Sequence, residues 1–356
     1  MKKKVLVAMS GGVDSSVALL LLKEKYELIG ATLKLHSSNE IEGSCCTSKD
    51  IEDAKAIAER FGIEHHVVNL EEMFNENVIK RFVSSYLCGE TPNPCVDCNR
   101  YIKFGELMKK AQKLGCDYFA TGHYARVEFD DKSGRWLLKK AICDEGANDK
   151  DQSYVLYNLT QEQLAHIIFP LGGIEKSKAR KIAEENGLIN HNKPDSQDIC
   201  FVPDGDYAAF IRENTGIIPS EGNVVDTNGN IVGKHNGIIN YTIGQRKGLG
   251  IAFGKPMYVV DKNADDNTVI VGENHDLMRS RLIASDLNWI SIPCLDKPIS
   301  AKAKMRYKQE EKPCTISPLE NGNVLVEFEQ PQRAVAKGQR VVFYDGDTVI
   351  GGGIIK

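Results

Sequence analysis

The chain has 356 residues, of which 42% are hydrophobic and 26% charged, and its formal net charge is -4. That length exceeds what one hydrophobic core usually organises, so two or three units are expected, and the composition excludes a disordered chain. A uniformly basic nucleic-acid binder is excluded as well; any RNA must be held by a local basic face against the global field.

The opening "MKKKVLVAM" passes into glycines after one short strand, without a cleavage-site pattern, and no apolar run is long enough to span a bilayer. The expected location is the cytoplasm, with no membrane partner. Ten cysteines without a secretion signal point to metal, redox or nucleophilic roles for a few of them and to core packing for the rest.

In chain order, the first half alternates strand and helix: "KVLVAM", a helix from about Ser15 to Lys25, "ELIGATLKL", the helix "DIEDAKAIAERFG", "HHVVNL", two more helices and "DYFATGHY". Such alternation argues for an α/β fold with a parallel sheet covered on both faces, whose ligands collect beyond the carboxyl ends of the strands. After Thr121, "YARVEF" and "RWLLKKAI" around "DDKSG" read as a hairpin, and "TQEQLAHIIF" starts with a capping box from Thr160 to Gln163. A helix from Lys176 to about Asn186 stops at Gly187. From about Gly222, short glycine-punctuated strands read as two small β domains in series, a β-rich central one and a C-terminal β-barrel. The expected division is 1–205, 206–278 and 279–356.

Between the first strand and helix stands "AMSGGVDSS". Gly11 and Gly12 allow a tight turn, and the amides of Val13 to Ser16 open a helix whose positive end suits phosphate. Asp14 could ligate Mg²⁺ at the phosphates, and Ser10, Ser15 and Ser16 could donate to phosphate oxygens. The lysine of the usual GxxxxGK[ST] loop is missing, which weakens transfer of a terminal phosphate as the chemistry. A glycine turn that merely caps a helix is the bland alternative.

"GETPNPCVDCNRYIKFGELMKKAQKLG" places Cys95 and Cys98 in a proline-stiffened loop ahead of a helix expected to begin near Asn99. A thiol there would feel the helix's positive end and Arg100, both favouring thiolate, which makes Cys98 a nucleophile candidate. The CxxC pair could instead be half of a zinc site, with Cys45 and Cys46 supplying the other half, although adjacent cysteines lack the usual spacing. Downstream, "NKPDSQDICFVPDGDYAAFI" carries Cys200 in a polar stretch, either as a reactive thiol or as a buried neighbour of Ile199 and Phe201.

"SGGVDSS" resembles the signature of the PP-loop ATP pyrophosphatases. Together "AMSGGVDSS", "TPNPCVDCNRYIKFG", "ATGHYAR", "KDQSYVLYNL", "FPLGG", "DSQDICF", "YTIGQRKGLGI" and "MRY" resemble, in order and spacing over essentially the whole chain, the tRNA-specific 2-thiouridylase (MnmA) family. The resemblance implies an ATP-dependent enzyme that replaces the C2 oxygen of a wobble uridine with sulfur, by adenylating that oxygen and then transferring a persulfide sulfur. It implies that Ala8, Met9, Ser10, Gly11, Gly12, Val13, Asp14 and Ser15, with Leu33 and Gly122, hold ATP. Cys200 would carry the persulfide received from a sulfur-carrier protein or cysteine desulfurase, and Cys98 would be its partner nucleophile, leaving a disulfide between the two. Asn93, Pro94 and Cys95 would surround the target base, and Lys150, Asp151, Gln152, His123, Arg306, Tyr307 and Gln339 would contact transfer RNA.

The segment "AKAKMRYKQ" is by itself a basic strand carrying an aromatic, suited to phosphate contact and stacking, or else a solvated edge guarded by lysines. Position 95 is a cysteine where other family members can carry an acid, which also admits an iron-sulfur cluster on Cys95, Cys98 and Cys200. Two other functions compete. A small-molecule ligase would need the glycine loop but neither Cys98 nor Cys200, and a non-catalytic RNA- or metal-binding protein would not need an intact "SGGVDSS".

Overall fold

The computed structural model describes residues 2–36, 47–142, 150–194, 199–202 and 205–356. Its organising element is β1 (Lys4–Ala8), whose Val5, Leu6 and Val7 are completely buried, as a central parallel strand covered on both faces requires. On one side β1 pairs in parallel with β2 (Glu27–Lys34), which pairs with β3 (Glu64–Asn69). On the other it pairs with β4 (Tyr118–Ala120), followed by the two-residue β7 (Ile167–Ile168). The strand order β3-β2-β1-β4-β7 reverses direction at β1. The crevice between the ends of β1 and β4 is therefore the topological switch point, where such sheets bind ligands.

The two faces of β1 feed two cores, because successive side chains alternate across the sheet. Val5 and Val7 pack with α1 (Val13–Leu22), α2 (Ser48–Arg60) and α8 (Lys176–Glu185) through Val17, Leu20, Ile57, Ala179 and Ala183. Helix α2 is started by a capping box between Thr47 and Asp50. Leu6 faces the larger core, built on Phe74, Phe82, Ile102, Phe104, Leu107 and Phe119. Phe119 comes from β4; the others come from the helical stretch of α3 (Glu71–Phe74), α4 (Lys80–Leu87), α5 (Pro94–Asp97), α6 (Met108–Lys113) and the segments between them. Asn75–Ile79 and Cys98–Leu107 continue these helices with the wider π-type turn. Burying each of those phenylalanines contributes about 2 kcal/mol.

After β4 the hairpin β5 (Ala125–Asp130) and β6 (Arg135–Lys140) forms as expected, and α7 (Gln161–Leu164) has the Thr160–Gln163 capping box. Helix α9 (Tyr207–Thr215) leads into a small sheet of β8 (Gly222–Val225), β9 (Ile231–His235), β10 (Tyr258–Asn263) and β11 (Thr268–Gly272), ordered β10-β11-β8-β9. The remaining strands are β12 (Met278–Trp289), β13 (Ile299–Lys304), β14 (Lys312–Pro318), β15 (Val324–Arg333), β16 (Arg340–Asp345) and β17 (Thr348–Ile355). They pair in the order β12-β15-β14-β13-β16-β17, and β17 returns to β12, closing a barrel. The sequence did not reveal one connection: β6 pairs with β17 at Lys139 and Thr348, so the N-terminal hairpin extends the barrel sheet.

Among the described residues no helix is long and apolar enough to cross a membrane. Cys45 and Cys46 lie outside the described residues.

Candidate active site

The glycine loop occupies the switch point. Gly11 has φ +69°, and a Cβ there would lie 2.4 Å from the carbonyl oxygen of Asp50, so only glycine lets the loop pass over the start of α2. From the facing strand, Gly122 approaches so closely that a Cβ would lie 2.8 Å from the Asp14 carbonyl carbon and the Ser15 nitrogen. Gly12 is the N-cap of α1 and supplies no side chain, leaving the helix's first amides for an outside anion. Ala8 and Met9 end β1, Met9 donating its amide to Ala31, and Leu33 lies buried near the end of the neighbouring β2.

The serines differ in what they offer. Ser10 is exposed, whereas Ser15 and Ser16 are buried. Ser15 Oγ accepts the Ser10 amide at 3.1 Å and donates to Gly12 O at 3.1 Å; Ser16 Oγ donates to Gly12 O at 2.9 Å. In this arrangement both hydroxyls shape the loop, and Ser10, whose Oγ lies 3.3 Å from Ser15 Oγ, is exposed where a ligand could reach.

Two lysines from the segment after β7 hold the loop. Lys176 Nζ lies 2.7 Å from both carboxylate oxygens of Asp14, and the Tyr124 hydroxyl donates to Asp14 Oδ1 at 2.7 Å. Lys193 Nζ contacts Asp50 Oδ1 at 2.6 Å, Asp53 Oδ2 at 2.9 Å and Gly11 O at 3.3 Å. Burial works against the Lys193 ammonium, but the hydrogen bonds to Asp50 and Asp53 outweigh it and leave its pKa above the ordinary lysine value. Asn190, also buried, donates to Gly11 O at 2.9 Å and to Ser16 Oγ at 3.0 Å.

These residues fit nucleotide phosphates better than a protein-held magnesium ion. A hard dication wants several free oxygen ligands, and both oxygens of Asp14 already face an ammonium group. Lys176 and Tyr124 were missed in the sequence. The absence of a lysine from the loop itself was the available signal, since a phosphate site needs a cation from somewhere.

The cysteine loop departs from expectation. Helix α5 begins at Pro94, ahead of the expected start near Asn99: Asn93 is its N-cap, accepting from the Val96 amide at 3.4 Å, and Pro94 takes the first position, where a missing N–H costs nothing. Cys95 is therefore in the first turn and exposed, while Cys98 follows that turn and its own amide donates into the helix. A helix terminus acts mainly within its first turn, so it favours Cys95 over Cys98. Arg100 is already paired with Asp286 of β12 at 2.6 Å. The helix end and the unpaired Arg100 expected beside Cys98 are therefore not what the structure has: the first turn belongs to Cys95, and Arg100 is held by Asp286.

Cys98 and Cys200 are both half-buried thiols packed against the larger core. Phe201 anchors the Cys200 segment by edge contacts with Phe74 and Phe82 at 5.6 and 5.3 Å between ring centres. By contrast, burial pushes the Cys314 thiol up to about 12, as suits a packing residue. Among the described residues no group of three or more His, Cys, Asp or Glu side chains comes together as a metal site. Cys95, Cys98 and Cys200 are thus not brought together as a ligand group among the described residues, and the zinc alternative also needs Cys45 and Cys46, which lie outside them.

The barrel holds the cysteine loop from outside. Arg340 of β16 donates through Nη2 to Asp97 Oδ1 at 2.9 Å, and both side chains are only 5% exposed. Removing one member of such a pair strands the other charge and costs about 3–5 kcal/mol. Arg340 Nε is buried with no hydrogen-bond partner among the described residues. Nothing in the sequence pointed to this pair.

The residues expected to contact RNA divide by exposure. Lys150 is exposed, and Arg306 and Gln339 line one depression of about 330 Å³ on the barrel. Tyr307 sits beside them, with Lys304 Nζ 5.7 Å from its ring centre. Asp151 is buried and accepts from Ser153 and Ala141, while Gln152 binds the Tyr124 amide at 2.9 Å. His123 lies in the core against Phe104 and Phe169, with Nδ1 2.7 Å from Thr121 Oγ1. Burial, then Lys103, holds its pKa well below the ordinary histidine value. In this geometry Asp151 and His123 shape the site from behind rather than reach RNA.

Comparison with known proteins follows the same architecture. Residues 3–204 match the family model described as "tRNA methyl transferase HUP domain", 209–273 the "tRNA methyl transferase PRC-barrel domain" and 279–355 the "Aminomethyltransferase beta-barrel domain". The chain is 53% identical to "tRNA-specific 2-thiouridylase MnmA" of Clostridioides difficile (strain 630), covering 100% of this chain and 99% of that protein. It is 52% identical to the protein of the same name from Acetivibrio thermocellus, with 100% and 99% covered. Among solved structures it is similar to "U34-tRNA thiolase NcsA from Methanococcus maripaludis with its [4Fe-4S] cluster", at 20% identity and a TM-score of 0.36 over 60% of this chain and 64% of that one. With half its sequence shared over its full length, the chain belongs to the tRNA-specific 2-thiouridylase (MnmA) family, a family of sulfur-transferring enzymes.

Proposed function

We propose that the chain thiolates the wobble uridine of transfer RNA at C2, using ATP and a persulfide. The observation within the chain that carries the reading is two half-buried thiols, Cys98 and Cys200, on separate segments packed against one core, in a fold whose switch point holds a glycine loop. A small-molecule ligase would have no use for those thiols.

A pyrimidine carbonyl oxygen is a poor leaving group. The loop from Ala8 to Ser15, with Leu33 and Gly122, binds ATP so that the uridine O2 attacks the α-phosphorus and pyrophosphate departs. The α1 amides and Lys176 face the charge that develops on the phosphates. Asp14 orients Lys176. The terminal sulfur of a persulfide on Cys200 then attacks C2, and the bond from C2 to oxygen breaks, so that AMP leaves with that oxygen. Attack of the Cys98 thiolate on the Cys200 sulfur releases 2-thiouridine and forms a disulfide between the two cysteines. An external dithiol supplies two electrons to restore them, and a sulfur-carrier protein or cysteine desulfurase reloads Cys200.

Asn93, Pro94 and Cys95 lie at the start of α5, where an extruded base would enter, and an enzyme acting on a base must take it out of its stack. Lys150, Arg306, Tyr307 and Gln339 contact the RNA; Gln152, Asp151 and His123 support the loops around it. The working division of the chain is 1–205 for the ATP-binding unit, 206–278 for the central β-rich unit and 279–356 for the barrel. The site acts in the cytoplasm, where ATP and transfer RNA are present.

The test is nucleoside mass spectrometry after incubating the protein with ATP, a persulfide donor, a dithiol and unmodified transfer RNA. Formation of 2-thiouridine, with isotope-labelled uridine oxygen recovered in AMP, is expected. Thiolation with the label absent from AMP would refute activation by adenylation.

A further inference from the structure

We propose that Asp97 and Arg340 form a positioning pair that makes the placement of Cys98 depend on the barrel's grip on RNA. The proposal deepens the sulfur-transfer reading and rests on it.

Three contacts join the cysteine loop to the barrel at the segment leading into β16 and its first residue. The Thr91 amide donates to Lys337 O at 2.8 Å. Gly338, at φ +84°, lies so close that a Cβ would be 2.8 Å from Glu90 Cβ, so the two backbones meet without an intervening side chain. Arg340 then reaches Asp97, the residue immediately before Cys98, while its Nη1 donates to Gly338 O at 2.8 Å and fixes its own loop.

The same segment connects to the RNA-facing edge. The buried Tyr154 hydroxyl lies 2.9 Å from the carbonyl oxygen of Arg340 and 3.1 Å from that of Met305, which share its one proton. Gln339 precedes one of those carbonyl-bearing residues and Arg306 follows the other, and both line the depression described above. Arg306 also donates to Ala334 O at 2.8 Å. A shift of Gln339 or Arg306 on docking RNA is thus transmitted through two fixed carbonyls to the arginine that holds Asp97.

The energetics favour positioning over simple stability. A buried ion pair is commonly replaceable by apolar residues without loss of folding, so retaining one, with Arg340 Nε lacking a partner among the described residues, calls for a geometric reason. A two-pronged guanidinium supplies direction that an apolar contact lacks.

The test compares the wild type with Arg340→Lys and the double variant Asp97→Leu/Arg340→Met. Thermal unfolding reports folding, and iodoacetamide alkylation of Cys98, read by peptide mass spectrometry with and without transfer RNA, reports its placement. Alkylation needs neither ATP nor a sulfur donor, so this readout stands even if the chain's reaction is something other than thiolation. In the wild type, RNA should change the alkylation rate about tenfold; in the double variant the rate should be the same with and without RNA, while affinity for RNA stays within about threefold. Arg340→Lys keeps the charge and loses the fork, and should restore part of the response, with kcat for thiolation lowered about tenfold and KM for RNA unchanged. The proposal is overturned if RNA leaves wild-type Cys98 alkylation unchanged, or if either variant that folds retains the full wild-type response. Unfolding of the double variant would overturn the positioning argument in favour of a structural pair, unless Arg340→Lys shows the kcat-only loss.

Discussion

The glycine loop and the cysteine loop are both short connections that precede or begin a helix, yet they are held in different ways. The glycine loop is fixed from within the unit that contains it, by Lys176, Tyr124, Asn190 and Lys193. The cysteine loop is fixed by the barrel, through an ion pair spanning 243 positions of sequence. The difference teaches that the two loops are separately supported, so if the proposed mechanism holds, activation of the uridine oxygen and its replacement should be separable by mutation.

The largest expected effect tests that separation directly. Cys98→Ser and Cys200→Ser should each lower thiolation at least about a thousandfold while RNA-dependent pyrophosphate release continues. Thiolation by either variant near the wild-type rate would remove the relay. Next, Lys176→Ala should slow pyrophosphate release about a hundredfold, the usual size for losing one charged stabiliser of a developing anion. An unchanged rate would show that Lys176 only balances Asp14.

RNA affinity tests the barrel side. With about three phosphates contacted, binding should weaken roughly 30-fold between about 50 and 200 mM salt in a filter-binding or anisotropy titration. Salt-independent binding would contradict phosphate contacts by Lys150 and Arg306. Gly122→Ala comes next, and should raise the Kd for ATP about tenfold while the RNA Kd holds, because the added methyl has to displace the Asp14 backbone.

The smallest effect concerns pH. His123 has its pKa lowered by burial, so below the ordinary histidine value of about 6.5 the unfolded chain takes up a proton that the folded chain refuses. Stability should fall by up to about 1.4 kcal/mol per pH unit as pH drops through that range. Other histidines contribute to the total, so the comparison is with His123→Gln, in which urea unfolding should lose this part of the acid sensitivity. Identical pH slopes in the two proteins would contradict a neutral buried imidazole.

What the sequence made legible follows the same division. The parallel alternation, the hairpin and the Thr160 capping box depend on neighbours within a few residues, and the structure has them all. The early start of α5 was also local: Asn93 followed by Pro94 is a strong N-terminal signal, outweighed by reading the two prolines as loop stiffeners. Asp97 and Arg340 were illegible, because each is an ordinary charged residue until the fold buries them together. The glycine loop could be read from its spacing, but the lysines that hold it could not, since they arrive from a later segment.

The pairing of β6 with β17 also has a consequence for biosynthesis. Strand β6 leaves the ribosome about 200 residues before its partner, an interval of roughly 10–40 s at ordinary rates of translation. Throughout that time its outer edge is an unpaired template for other chains, and interrupting translation before β17 would leave both the hairpin and the opened barrel exposed to aggregation.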